Sequence, residues 1–113
     1  MLFRSAIAAV LDELPRREII RRALAHALAI EVPDLDTAVV AANAYAPEHL
    51  IIQAHDPRRL VDAIQTAGSV FLGPWTPEAV GDYCSGTNHV LPTYGHARAC
   101  SGLSLAEIGR AHV

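Results

Sequence analysis

Residues 34–53 read DLDTAVVAANAYAPEHLIIQ, and the fold class turns on this stretch. Leu35, Ala38, Val39, Ala42 and Tyr45 recur at helical spacing on one face, and Asp34 stands where an N-cap acceptor belongs. Pro47 pushes Ala46 out of the helical region, so the helix stops near Tyr45. Leu50–Gln53, short and apolar, then reads as a strand.

The same alternation continues on the C-terminal side. Asp56-Pro57 opens a helix with an N-cap acid and a proline at the first helical position, and Leu60, Val61, Ile64 and Ala67 form its buried stripe. Gly68 is expected to close that helix in the left-handed C-terminal role, and Ser69–Leu72 follows as an apolar strand. Thr76-Pro77-Glu78 repeats the start signal and predicts a helix of about two turns from Pro77. Upstream, 6–14 and 15–27 read as helices, the second with Ile19, Ile20, Ala23, Leu24 and Ala27 as its apolar stripe. Leu28–Val32 is a short strand candidate. Helices alternating with short strands predict an α/β fold, a small sheet layered with helices. From Ser85 to Ser101 glycine, asparagine, proline and threonine break every period, which predicts a long loop carrying His89, Tyr94, His96 and Arg98.

With 113 residues there is room for one small domain, and 51% hydrophobic with 19% charged residues is a globular balance. A domain of this size buries only roughly two-thirds of the surface its unfolded chain exposes, so its core is modest and its stability leans on a partner. The net charge of −3 exerts no global pull toward nucleic acid or an anionic membrane. Arg16, Arg17, Arg21 and Arg22 are interleaved with apolar residues at helical spacing and read as a solvated helix face. No membrane-length apolar run or secretory leader pattern occurs, so the expectation is a cytoplasmic protein. Cys84 and Cys100 are the only cysteines and read as reduced thiols; a zinc site from Cys84, His89, His96 and Cys100 matches none of the usual structural zinc spacings.

The two ends read differently from the rest. Residues 107–113 can be encoded by DNA containing AGATCGGAAGAG and residues 2–5 by CTCTTCCGATCT, which are reverse complements. Both resemble a translated sequencing adapter. The domain is therefore expected to span 6–106, with 1–5 and 107–113 as non-native ends.

Two clusters can carry chemistry. Glu48-His49 sets a carboxylate beside an imidazole just after the helix stop, and both are natural proton-transfer groups. Neighbours in a regular strand point to opposite faces, so a shared site requires the pair to lie in a turn; otherwise they are a solvated acid and a packed histidine. Glu78 and Asp82 stand four residues apart, where two carboxylates on an α-helix repel unless a cation lies between them. They read equally well as a first-turn acid favoured by the helix dipole and a surface residue. No G-x-G-x-x-G, P-loop or nucleophile elbow is present. His26 and His55 read as surface histidines, and His112 falls in the end segment.

The linked motifs Ala42–Leu50, Ala67–Pro74, Thr76–Tyr83 and Gly86–Thr93 resemble, in order and spacing, the histidinol dehydrogenase family over about residues 6–105. That resemblance implies part of a larger Rossmann-like domain from a cytoplasmic, homodimeric enzyme. Such an enzyme oxidises L-histidinol through L-histidinal to L-histidine, with two NAD and a bound zinc. By the same resemblance, Glu48 and His49 match the catalytic pair. His49 is the base that takes the alcohol proton and also contacts substrate, while Glu48 activates water at the aldehyde stage. Asp82 matches a zinc ligand that also holds substrate, and His89 lies in the segment lining the pocket. The family's other zinc ligands, its nucleotide contacts and its dimer-crossing C-terminal elements have no counterpart here, which implies an inactive isolated chain. Two other readings stand beside this one: a non-catalytic α/β binding or interaction module, and a metal hydrolase centred on Asp82, His89 and His96. Burial and convergence of the acids discriminate among them.

Overall fold

The computed structural model describes residues 2–83, 85, 86 and 89–103. The chain divides into two compact units, 1–31 and 32–113.

The first unit holds α1 (Leu2–Leu11) and α2 (Arg17–Leu24). Leu2–Ser5, expected to stand apart, lie in the first turns of α1, while 107–113 lie outside the described residues. Arg16 adopts a left-handed conformation at φ 62° where the chain enters α2. Arg21 Nη2 reaches Asp12 at 2.6 Å and Nη1 reaches Glu18 at 3.1 Å, exposed ion pairs of the kind that contribute little to stability. Of the stripe expected here, Ile20 and Leu24 are half-buried, whereas Ile19 is 64% exposed and Ala23 and Ala27 are exposed; the four arginines face solvent, as the spacing predicts. Leu28–Val32 forms no strand: it has no ladder partner among the described residues, and Leu28 is 74% and Ile30 64% exposed.

In the second unit, α3 (Leu35–Tyr45) begins where the sequence places it: the Thr37 amide donates to Asp34 Oδ1 at 2.7 Å. It ends at Ala46, left-handed at φ 56° and only 2% exposed, whose amide closes on Ala42 O at 2.9 Å. β1 (His49–Ile52) follows, then the short α4 (Arg58–Val61), then β2 (Ser69–Leu72). The strands pair in parallel, with His49 opposite Ser69 and Ile52 opposite Leu72. Around the ladder Gly68 N–H donates to Pro47 O at 3.0 Å, Ser69 N–H to Glu48 O at 2.8 Å and Gly73 N–H to Ile52 O at 2.9 Å. Ala38, Val39 and Ala42 of α3, Leu50 and Ile52 of β1, and Leu60 and Ile64 around α4 line an apolar groove of about 190 Å³. Phe71, 4% exposed, is the large side chain of the core.

Gly68 does not take the left-handed role expected of it. It is absent from the positive-φ glycines, and its requirement is steric: a Cβ there would stand 2.5 Å from Glu48 O. The helix expected from Pro77 is a five-residue 3-10 helix, Glu78–Asp82, entered from Pro77 in an extended conformation. Among the described residues of the 85–101 stretch, the one regular element is a 3-10 turn, His96–Arg98. The architecture among the described residues is thus a small α/β unit with a two-stranded parallel sheet. No described helix is long and apolar enough to cross a membrane.

Candidate functional site

The helix stop at Ala46-Pro47 resolves the geometry of Glu48 and His49. Because β1 begins only at His49, Glu48 lies in the bend before it and is not bound to the opposite face. Glu48 Oε1 stands 3.8 Å from His49 Nδ1, and both side chains are partly buried, 35% and 26% exposed. His49 pairs with Ser69 in register, which puts Phe71, two residues on, along the same face. The two ring centroids are 6.0 Å apart at 31°, so Phe71 forms an apolar wall beside the imidazole.

The other nitrogen of His49 meets a residue whose role the sequence left open. Nε2 lies 3.4 Å from Glu78 Oε1, so one imidazole stands between two carboxylates. Thr76 Oγ1 donates to Leu72 O at 2.8 Å, tying the segment that carries Glu78 to the end of β2. From the far end of the same 3-10 helix, Asp82 Oδ1 contacts His89 Nδ1 at 2.9 Å. The hydrogen bond to Asp82, then the Asp82 charge, and more weakly the charges of Glu48 and Glu78, hold the His89 pKa above the ordinary imidazole value against a small desolvation. The protonated pair therefore exists below the ordinary histidine range and is lost as pH rises through the raised value. Glu48, His49 and Glu78 form one set of contacts and Asp82 with His89 a second, and the two are linked through the 3-10 helix that carries both Glu78 and Asp82. His89 is the outermost of these residues, with the side chain 83% exposed.

Asn43 is a further residue that spacing alone did not single out. Its Nδ2 donates to Ala63 O at 2.8 Å, its Oδ1 accepts from Gln65 N–H at 2.8 Å, and its carbonyl accepts from Thr66 Oγ1 at 2.6 Å. The last turns of α3 are thereby fixed to the segment that leads into β2, and Glu48 enters between the two.

Asp82 and His89 have the right chemistry for a zinc site, but no three His, Cys, Asp or Glu side chains gather as a metal site among the described residues. The described residues by themselves do not make a zinc shell. His96 does not join Asp82 and His89 in such a group, which removes the geometry a hydrolase centred on those three requires. Cys84 lies outside the described residues, and Cys100 is a free, exposed thiol.

The histidinol dehydrogenase family model matches residues 3–112. Histidinol dehydrogenase from Salmonella typhimurium is 56% identical over 102 residues, 90% of this chain and 24% of that protein. The Shewanella oneidensis enzyme is 55% identical over 105 residues, 93% of this chain and 24% of its own length. The crystal structure of histidinol dehydrogenase from Elizabethkingia anophelis matches with a TM-score of 0.83 at 44% identity, covering 88% of this chain and 23% of that one. The chain thus spans about a quarter of the length of the relatives it matches. With the four motifs in place and the two-stranded unit matching a solved member, the chain belongs to the histidinol dehydrogenase family.

Proposed function

We propose that this chain is the segment of a histidinol dehydrogenase that supplies the proton-transfer residues, within a larger Rossmann-like domain of a cytoplasmic homodimer. The observation that carries the reading is His49 standing between Glu48 and Glu78, with the Asp82–His89 pair set on the same 3-10 helix as Glu78. Family membership supports an oxidoreductase acting on L-histidinol in histidine biosynthesis.

In this reading His49 contacts substrate and takes the alcohol proton as L-histidinol is oxidised to L-histidinal. Glu78, on the opposite nitrogen from Glu48, steadies the ring and the positive charge it acquires. Glu48 then takes a proton from water as that water attacks the aldehyde carbon, and a second oxidation yields L-histidine. Phe71 keeps one side of the imidazole dry, which strengthens each of these interactions. Asp82 meets the substrate's cationic end and is also offered toward zinc, while His89 lines the pocket. When bound, zinc would orient the substrate and NAD would accept its electrons, but their sites are completed by parts of the relatives this chain does not span.

The isolated chain is accordingly expected to bind neither cofactor productively and to be inactive, because catalysis needs all groups assembled together. Incubating it with L-histidinol, NAD and zinc while following NADH absorbance tests this. No turnover is expected, and robust zinc-dependent turnover would overturn the account of what the segment lacks.

A further inference from the structure

We infer that Arg98 is a positioning residue for the Glu48-His49 pair, a latch that holds the end of α3 and so sets the turn from which both side chains project. This rests on the catalytic reading of that pair.

The last carbonyls of a helix have no intrahelical donors and carry the negative end of its dipole. In α3 they are met by a side chain distant in sequence. Arg98 Nη2 donates to Ala44 O, and to Tyr45 O at 3.5 Å, while Nη1 donates to Gly95 O at 3.2 Å. One guanidinium thus joins the 3-10 turn His96–Arg98 to the end of α3, from a position 54 residues away in sequence. The next residue, Ala46, sits at φ 56° without being glycine, a conformation that persists only where its surroundings hold it. After it come Pro47, Glu48 and His49. The backbone of this turn is held on its far side by Gly68 and Ser69 N–H groups bound to Pro47 O and Glu48 O. Arg98 supplies the near side, so the turn is clamped between β2 and a cation.

Two features show that the contact is built into the local fold. Gly95 is left-handed at φ 77°, and a Cβ at that position would collide with the Arg98 guanidinium. Tyr94, also left-handed at φ 51°, completes the tight turn that delivers the arginine. Between latch and turn lies a polar cleft of about 420 Å³, lined by Tyr45, Pro47, Glu48, Tyr94 and Arg98, so Glu48 opens onto the space that Arg98 borders. The planar fork can hold adjacent carbonyls together, which a lysine ammonium does less well.

The test uses full-length Elizabethkingia anophelis histidinol dehydrogenase carrying this chain's residues 6–103 in place of its matching segment. Arg98→Ala is expected to lower kcat about tenfold to a hundredfold, the range for a small misplacement of reacting groups. KM for L-histidinol should move less than threefold, and Arg98→Lys should restore part of the rate. Gly95→Ala, which both strains the left-handed turn at φ 77° and pushes on the guanidinium, should also lower kcat. A kcat within twofold of the parent for Arg98→Ala overturns the latch. So does a loss in all three variants that only tracks the folded fraction measured by circular dichroism. A parallel Glu48→Gln variant separates the two ideas: if it is inactive while Arg98→Ala is normal, only the latch fails, and if Glu48→Gln is fully active, the catalytic reading fails.

Discussion

His49 Nε2 lies 3.4 Å from Glu78 Oε1, on the side of the ring opposite Glu48. With one carboxylate 3.8 Å from Nδ1 and another 3.4 Å from Nε2, the imidazole has an acid facing each nitrogen, and Glu78 lies where it can set the orientation of the ring. Glu78→Gln in the full-length enzyme described above is expected to lower kcat by about tenfold to a hundredfold while leaving the melting temperature nearly unchanged. Steady-state kinetics beside a thermal melt check this, and a kcat within twofold of the parent would show that Glu78 is an ordinary first-turn acid.

Gly68→Ala is expected to destabilise the α/β unit by about 1–3 kcal/mol, the range for forcing atoms into a packed site. The clash is with backbone, because Glu48 O stands 2.5 Å from the position of the new Cβ and itself accepts the Ser69 amide. Urea denaturation of the two proteins measures the difference. A loss below about 0.5 kcal/mol, the scale of ordinary surface changes, would mean the strand entry opens without cost.

Asp34 contributes a pH dependence whose sign follows from its cap. The Thr37 amide holds its carboxyl below the usual carboxylate range, so its contribution is present above the unfolded pKa and is lost as pH falls through the folded value. The gap in urea midpoint between the parent chain and Asp34→Ala should be widest near neutrality and narrow as pH falls through and below the usual carboxylate range. A gap that stays constant to the acid end would show that the charge plays no part in the cap.

Asn43→Asp tests the bridge between α3 and the segment before β2. The amide donates to Ala63 O and accepts from Gln65 N–H, so a carboxylate sets an oxygen against the Ala63 carbonyl. The loss should be about 1–3 kcal/mol at neutral pH and at least as large as for Asn43→Ala, because a polar partner is left facing repulsion rather than a void. Equal stability of the parent and Asn43→Asp in urea would contradict the bridge.

What the sequence disclosed was local. Asp34 and Pro47 act on their immediate neighbours, and they mark the ends of α3 as the structure has them; Leu50–Gln53 and Ser69–Leu72 announce the strands within a residue or so. The misreadings came from features whose cause lies elsewhere in the chain. Gly68 is expected to cap the helix from Pro57, but α4 ends at Val61, and what excludes a side chain at Gly68 is the Glu48 carbonyl just before β1. Leu28–Val32 has the composition of a strand and no partner to pair with among the described residues. Glu78 was balanced between a dipole acid and a site acid, because only the packing of its 3-10 helix brings it to His49. The Asn43 and Arg98 bridges span 20 to 23 and 53 to 54 residues, beyond the reach of any periodicity.

The central claim is that Glu48 and His49 carry the proton transfers of a histidinol dehydrogenase. The most direct measurement is kcat for L-histidinol oxidation by the full-length enzyme bearing this segment, with Glu48→Gln and His49→Gln alongside it. Each variant should fold as the parent does and lose about a hundredfold or more in kcat, the contribution of a positioned acid or base. Either variant turning over within threefold of the parent would contradict the claim.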